Sequence, residues 1–175
     1  MRDSNGTITT PSLVYTSDTQ INFVWPASSL GSAMVTVQTP VASADFSVSV
    51  AATVPALFAA NGGGTGLAAA NVIIVNADKS VTNRLVTDGP IPVLAGTEIY
   101  LVLYGTGIRG HSPNGVTARV AGRSVDVLYA GAQGAYPGLD QVNLRIPLSV
   151  GGFGTVEIQL AVDGAPSNIV TATFQ

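Results

Sequence analysis

The sequence predicts an all-β protein, two related Ig-like antiparallel β-sandwich units in tandem. Three observations carry that expectation. Valine and alanine dominate and threonine and serine are abundant, with twenty glycines and ten prolines to supply turns. Short alternating runs recur at near-regular intervals. A spaced motif occurs twice.

The runs read as strands are Ile21–Trp25, Ala33–Gln38, Phe46–Val50, Val72–Val75, Glu98–Tyr104, Thr117–Val120, Val125–Tyr129, Gln141–Ile146, Val156–Val162 and Ile169–Phe174. Phe46, Val48 and Val50 fall on one face and the intervening serines on the other. Val156, Ile158 and Leu160 repeat this against Glu157 and Gln159. Asn76–Ser80 and Asn114-Gly115 read as tight turns. No long 3.6-residue period survives the glycines and prolines, so helices are not expected.

The duplicated motif is an aliphatic pair before tyrosine, then glutamine, an aliphatic residue, asparagine, three residues and proline. The first copy holds Tyr15, Gln20, Asn22 and Pro26, and the second Tyr129, Gln141, Asn143 and Pro147. Seven extra residues separate Tyr129 from Gln141, and Tyr136 lies among them. The copies imply a first unit over residues 1–90, lacking a leading strand but carrying a connecting hairpin, and a second over 91–175. The second copy follows a strong strand at Glu98–Tyr104, and nothing before Tyr15 matches it. An incomplete sandwich exposes backbone donors and acceptors beside apolar side chains. A cover is therefore expected from elsewhere: Pro55–Thr87, an upstream domain, or a strand of another molecule.

Charge narrows the partners. Only 10% of residues are charged, the net charge is −3, and Lys79 is the single lysine. Six scattered arginines form no basic patch, so nucleic acid is not expected. No apolar run is long enough for a membrane-spanning helix. With no cysteine, disulfides and thiolate chemistry are excluded. The first residues lack the apolar core of a signal peptide, and the chain is read as a fragment whose signal lies upstream.

The chemistry-bearing residues are few. His111 is the lone histidine, in the loop-like stretch Gly110–Gly115, and no G-x-S-x-G elbow accompanies it. Glu98 and Glu157, the only glutamates, take polar strand positions rather than forming a glycosidase pair. Asp78, Asp88 and Asp163 sit in turn-like contexts without the acidic spacing of a calcium loop. The Gly62–Gly66 run lacks the lysine of a phosphate loop and reads as a flexible connection. No catalytic residue, metal or cofactor is expected. Trp25 and Tyr136 are the aromatic candidates for ligand contact. Trp25 occupies the place of Ile146 and is expected to face the core, whereas Tyr136 lies in the inserted loop. The Gln20/Asn22 and Gln141/Asn143 amides are expected to satisfy backbone groups at loops or edges.

The ordered motifs also resemble a family. Tyr15, Gln20-Ile21-Asn22 and Pro26 are followed by Val54-Pro55-Ala56-Leu57-Phe58, Ala77-Asp78-Lys79-Ser80-Val81 and Leu103-Tyr104-Gly105-Thr106-Gly107. Then come Val127-Leu128-Tyr129-Ala130-Gly131, Gln141-Val142-Asn143 with Pro147, and Ser167-Asn168. From about Leu13 to Gln175 this order resembles the repeated C-terminal domain of secreted acidobacterial proteins, the "Solibacter uncharacterised C-terminal domain". Ala56 departs from that pattern, which has glycine there. The resemblance implies an Ig-like or TIG-like pair on an exported or cell-surface protein, with no catalytic residues to transfer. The expected role is a structural or adhesive module with protein or glycan partners. The alternatives are a carbohydrate-binding module contacting sugar through Tyr136, and a self-assembling filament subunit that borrows a strand, with Arg2–Thr10 a candidate to pair as one.

Overall fold

The computed structural model describes residues 1–175, which divide into two compact units, Met1–Ala52 and Thr53–Gln175. Both are all-β and antiparallel, with two single-turn 3₁₀ segments at Val86–Asp88 and Leu148–Val150 and no α-helix. No helix is long and apolar enough to cross a membrane.

The first unit contains β1 (Leu13–Thr16), β2 (Ile21–Phe23), β3 (Gly31–Gln38) and β4 (Ser43–Val50). They form two separate two-stranded sheets, β1–β2 and β3–β4. The β3–β4 hairpin closes through Thr39, whose N–H donates to the Ala42 carbonyl at 2.8 Å and whose Oγ1 accepts from the Ala42 N–H at 3.0 Å. Ahead of β1 the chain winds about Asp3. Its carboxylate accepts from the amides of Asn5, Thr7 and Ser29 at 2.9–3.1 Å. Led by the Ser29 amide, these donors hold its pKa below the ordinary carboxylate value. Within Arg2–Thr10, Arg2 and Ile8 form only isolated bridges, because Asp3 turns the segment back on itself.

The second unit contains β5 (Ala56–Leu57), β6 (Ala70–Val75), β7 (Val81–Leu85), β8 (Glu98–Thr106), β9 (Val116–Val120), β10 (Arg123–Ala132), β11 (Asp140–Ile146), β12 (Gly154–Val162), β13 (Ala165–Pro166) and β14 (Val170–Phe174). They link into one ten-stranded antiparallel network in the order β13-β12-β9-β10-β11-β8-β6-β7, with β14 on β12 and β5 on β8. β10 joins the two halves. Its first residues pair with β9 and the remainder with β11, so one strand turns the corner of a sandwich-like fold. The inner faces meet in a single apolar cluster that includes Val72, Leu101, Leu144, Val120, Ile158 and Val170.

The expected division at residue 90 is corrected by strand pairing. β6 pairs with β8 from Ala70↔Leu103 to Val75↔Glu98, and β5 pairs with the end of β8. Residues 53–90 therefore complete the sheet of the second unit, and the boundary falls between Ala52 and Thr53.

Two polar side chains fasten this unit. Asp140, almost fully buried, accepts from the Ile108 amide at 2.8 Å, the Arg109 amide at 3.2 Å and Arg109 Nε at 2.5 Å. Asn168 accepts from the Leu57 amide at 2.7 Å and donates to the Leu57 and Gly64 carbonyls at 2.9 and 2.6 Å. The glycine run read as a flexible connection is thereby held, with the Gly66 carbonyl also accepting from the Thr171 amide at 2.7 Å. Gly107 is required by space. Its φ is +71° and a Cβ would stand 2.0 Å from the Val54 carbonyl oxygen.

Candidate binding face

The duplicated motif folds into the same hairpin twice. In β1–β2, Tyr15 stands opposite Asn22, Thr16 opposite Ile21 and Leu13 opposite Phe23, with a register shift between Leu13 and Tyr15. In β10–β11, Tyr129 stands opposite Asn143, Ala130 opposite Val142 and Val127 opposite Leu144, with the shift between Val127 and Tyr129. The irregularity falls on Val14 in one and Leu128 in the other. Gln20 Nε2 donates to Asn22 Oδ1 at 2.6 Å, and Gln141 Nε2 to Asn143 Oδ1 at 2.8 Å. The paired amides thus bond to each other, not to backbone groups, because residues two apart share one strand face.

The surroundings of the two hairpins differ. Val142 and Ile146 of β11 are 0% and 3% exposed, with β8 paired along the strand. Their counterparts Ile21 and Trp25 are 41% and 37% exposed. The reading of Trp25 as core-facing is corrected: Ile146 pairs with Ile99 of β8 and belongs to the apolar cluster, whereas no strand pairs with the outer edge of β2. Trp25 lies against Phe23 with ring centroids 6.0 Å apart, tilted by 37°, and its Nε1–H donates to Ser28 Oγ at 3.0 Å. Among residues 1–52, Ala33 is the only buried apolar residue.

Leu13, Ile21, Phe23 and Trp25 of one hairpin, with Val35 and Phe46 of the other, line a cleft of about 590 Å³. No Asp, Glu, Lys or Arg side chain lines it. Phe46, which alternation places on the apolar face of β4 with Val48 and Val50, is 53% exposed. The sequence reading does not assign this cleft. Its signal lies in the alternation of β4 and in the absence, before Tyr15, of any match to the Glu98–Tyr104 strand.

The other candidates lie elsewhere. Tyr136 is 68% exposed in a loop organised by Gln133, whose Oε1 accepts from the Ala135 and Tyr136 amides at 2.9 and 3.3 Å. Tyr15 and Tyr129 are both solvent-exposed, and the Tyr129 hydroxyl donates to the Ala132 carbonyl at 2.5 Å. Pro147 precedes the 3₁₀ turn at Leu148–Val150, while Pro26 follows Trp25 at the end of the first hairpin.

His111, Ser112 and Asp163 do come together, wired differently from a triad. His111 Nδ1 faces the Ser112 carbonyl at 2.7 Å and Nε2 faces the Ala130 carbonyl at 3.1 Å. The Ser112 hydroxyl donates to Asp163 instead. Two carbonyl acceptors favour the doubly protonated ring, the Ser112 carbonyl most strongly, and the pKa of His111 is raised above 6.5. A general base needs a free nitrogen near the serine hydroxyl, and both nitrogens here point at main-chain oxygens. Glu98 accepts from the Tyr100 hydroxyl at 2.5 Å and lies 3.5 Å from Arg145 Nη2. Asp78 and Asp88 accept from the Ser80 and Leu85 amides. No three acidic or histidine side chains converge as metal ligands would.

No family model, curated protein or solved structure matches the chain.

Proposed function

We propose that residues 1–175 form a non-catalytic structural or interaction module of a secreted or cell-surface protein, built from two Ig-like units of one design. The observation that carries this reading is the open apolar face of the first unit, in contrast to the second unit, where the same hairpin is closed. A groove without charged side chains and with an unpaired strand edge suits association, not proton transfer or nucleophilic attack. The wiring of His111 and Ser112 supports the same reading. So does the resemblance of the ordered motifs to domains of exported proteins.

The test is turnover. Incubated with ester, glycoside and phosphate substrates, the chain is expected to leave the rate at its buffer value at every concentration. Hydrolysis that scales with protein and disappears in His111→Ala would overturn the reading.

Tyr136 favours one second reading, a carbohydrate contact. Its ring stands out from a loop ordered by Gln133, and exposed aromatic faces stack on sugars. On that reading Tyr136→Ala loses retention on an insoluble glycan column that holds the parent chain. Equal elution of both from cellulose, chitin and xylan removes it.

A further inference from the structure

The geometry points to the first unit as an acceptor site for an extended polypeptide strand, one with aliphatic residues at alternate positions, laid antiparallel along β2. This inference rests on the non-catalytic interaction reading and names the partner chemistry.

The unpaired edge comes first. On the β1 side, the Gln20 carbonyl accepts from the Ser17 amide at 2.8 Å and the Val24 amide donates to the Ser12 carbonyl at 3.1 Å. Antiparallel pairing alternates sides. The main-chain groups of Ile21 and Phe23 therefore point to the other edge, where no strand pairs with β2. The Ile21 and Phe23 side chains line the apolar cleft beside that edge.

The duplicate hairpin identifies the cover. In the second unit β8 occupies the corresponding edge of β11, with Val142 opposite Leu103, Leu144 opposite Leu101 and Ile146 opposite Ile99. Those three β8 residues are buried. Transposed through the matching registers, an incoming strand sets aliphatic residues opposite Ile21, Phe23 and Trp25. Leu13, Trp25 and Phe46 are each more than a third exposed, and monomeric proteins rarely leave contiguous apolar patches beyond a few hundred Å².

Other occupants fit less well. Sugar sites pair aromatic surface with convergent polar groups. Here the Trp25 N–H is already given to Ser28, and Phe23 and Trp25 are tilted, not coplanar. Lipid leaves the main-chain groups of Ile21 and Phe23 unsatisfied. A strand satisfies both the edge and the face.

The experiment titrates the full chain with a synthetic peptide of the β8 sequence Glu98–Thr106, carrying a solubilising tag. Trp25 is the only tryptophan, so its emission reports the face directly. A saturable blue shift is expected. A peptide with serine in place of Ile99, Leu101 and Leu103 is expected to give none. Ile21→Pro removes an outward amide while keeping the Ser17 and Val24 bonds, and is expected to weaken binding about tenfold or more. Phe46→Asp, on the other hairpin, is expected to weaken it similarly, and tests the face if Ile21→Pro disturbs β1–β2. No saturable shift, equal binding of the serine peptide, or no loss in both variants overturns the inference. Self-association that buries Trp25 and resists the peptide assigns the face to a second copy and also overturns it. Any of these failures leaves the non-catalytic reading to the turnover assay, which decides it separately.

Discussion

The β1–β2 and β10–β11 hairpins share a motif, a register, a bulge and a glutamine–asparagine hydrogen bond, yet one lies in a core and the other lines an open cleft. The difference teaches that local sequence specifies the hairpin while its neighbours determine burial. Val142 and Leu144 are sealed because β8 lies beside β11 and the opposing face presents Val120 and Ile158. β2 is three residues long and β11 seven, and their side chains differ, but the strand that flanks β11 has no counterpart beside β2.

Hydrogen exchange probes the contrast at its greatest. Amides of β11 are expected to exchange about a thousandfold or more slowly than those of β2, because local opening without a core costs little against global unfolding. Equal protection, measured residue by residue by NMR, would break the comparison.

Matched substitutions come next. Leu144→Ala is expected to destabilise the second unit by about 2–5 kcal/mol in urea unfolding, through the cavity it leaves. Phe23→Ala, its counterpart, is expected to change stability by less than about 1 kcal/mol, as at an uncovered site. Comparable losses from both would show that the first hairpin is buried in solution.

Asp140 sharpens the contrast at one polar position. It precedes Gln141 as Thr19 precedes Gln20. Asp140→Ala leaves the amide of buried Ile108 unpartnered and is expected to cost about 1–3 kcal/mol. Thr19→Ala is expected to stay within about 0.5 kcal/mol. Parallel chemical denaturation of the two variants checks this.

The smallest effect concerns pH. The pKa of His111 is raised in the folded state, first by the Ser112 carbonyl and then by that of Ala130. Its stabilising contribution is fully present below the unfolded value of about 6.5 and is lost as pH rises through the higher folded value. The melting temperature of the second unit is expected to fall slightly across that window, and His111→Gln to flatten the fall. A rise with pH would contradict the assigned hydrogen bonds.

Much of this fold was legible in the sequence. β8, β11, β12 and β14 announce themselves by alternation, since a half-buried strand must place apolar residues at every second position. β5 and β7 were not read. β5 is two residues long and held by close backbone approach to Gly105 and Gly107, which leaves no periodic trace. β7 pairs only with β6, and Val81 and Leu85 at its ends are exposed. The cleft was half legible. Alternation tells which side of β4 is apolar but not whether anything covers it, and Phe46 on that side is 53% exposed. Asp140 and Asn168 escaped for another reason: a single polar side chain that collects main-chain groups depends on tertiary approach, not on spacing.

The last strand carries a consequence for synthesis. Phe174 is almost fully buried, and the Ile91 amide donates to the Thr173 carbonyl while the Gln175 amide donates back to Ile91. The ribosome delivers Ile91 long before its partner. At about 5–20 residues per second the wait is roughly 4–17 s. Throughout that interval the nascent second unit carries an unsealed seam where β14 will dock, and apolar surface there stays open to non-native contacts until β14 has emerged.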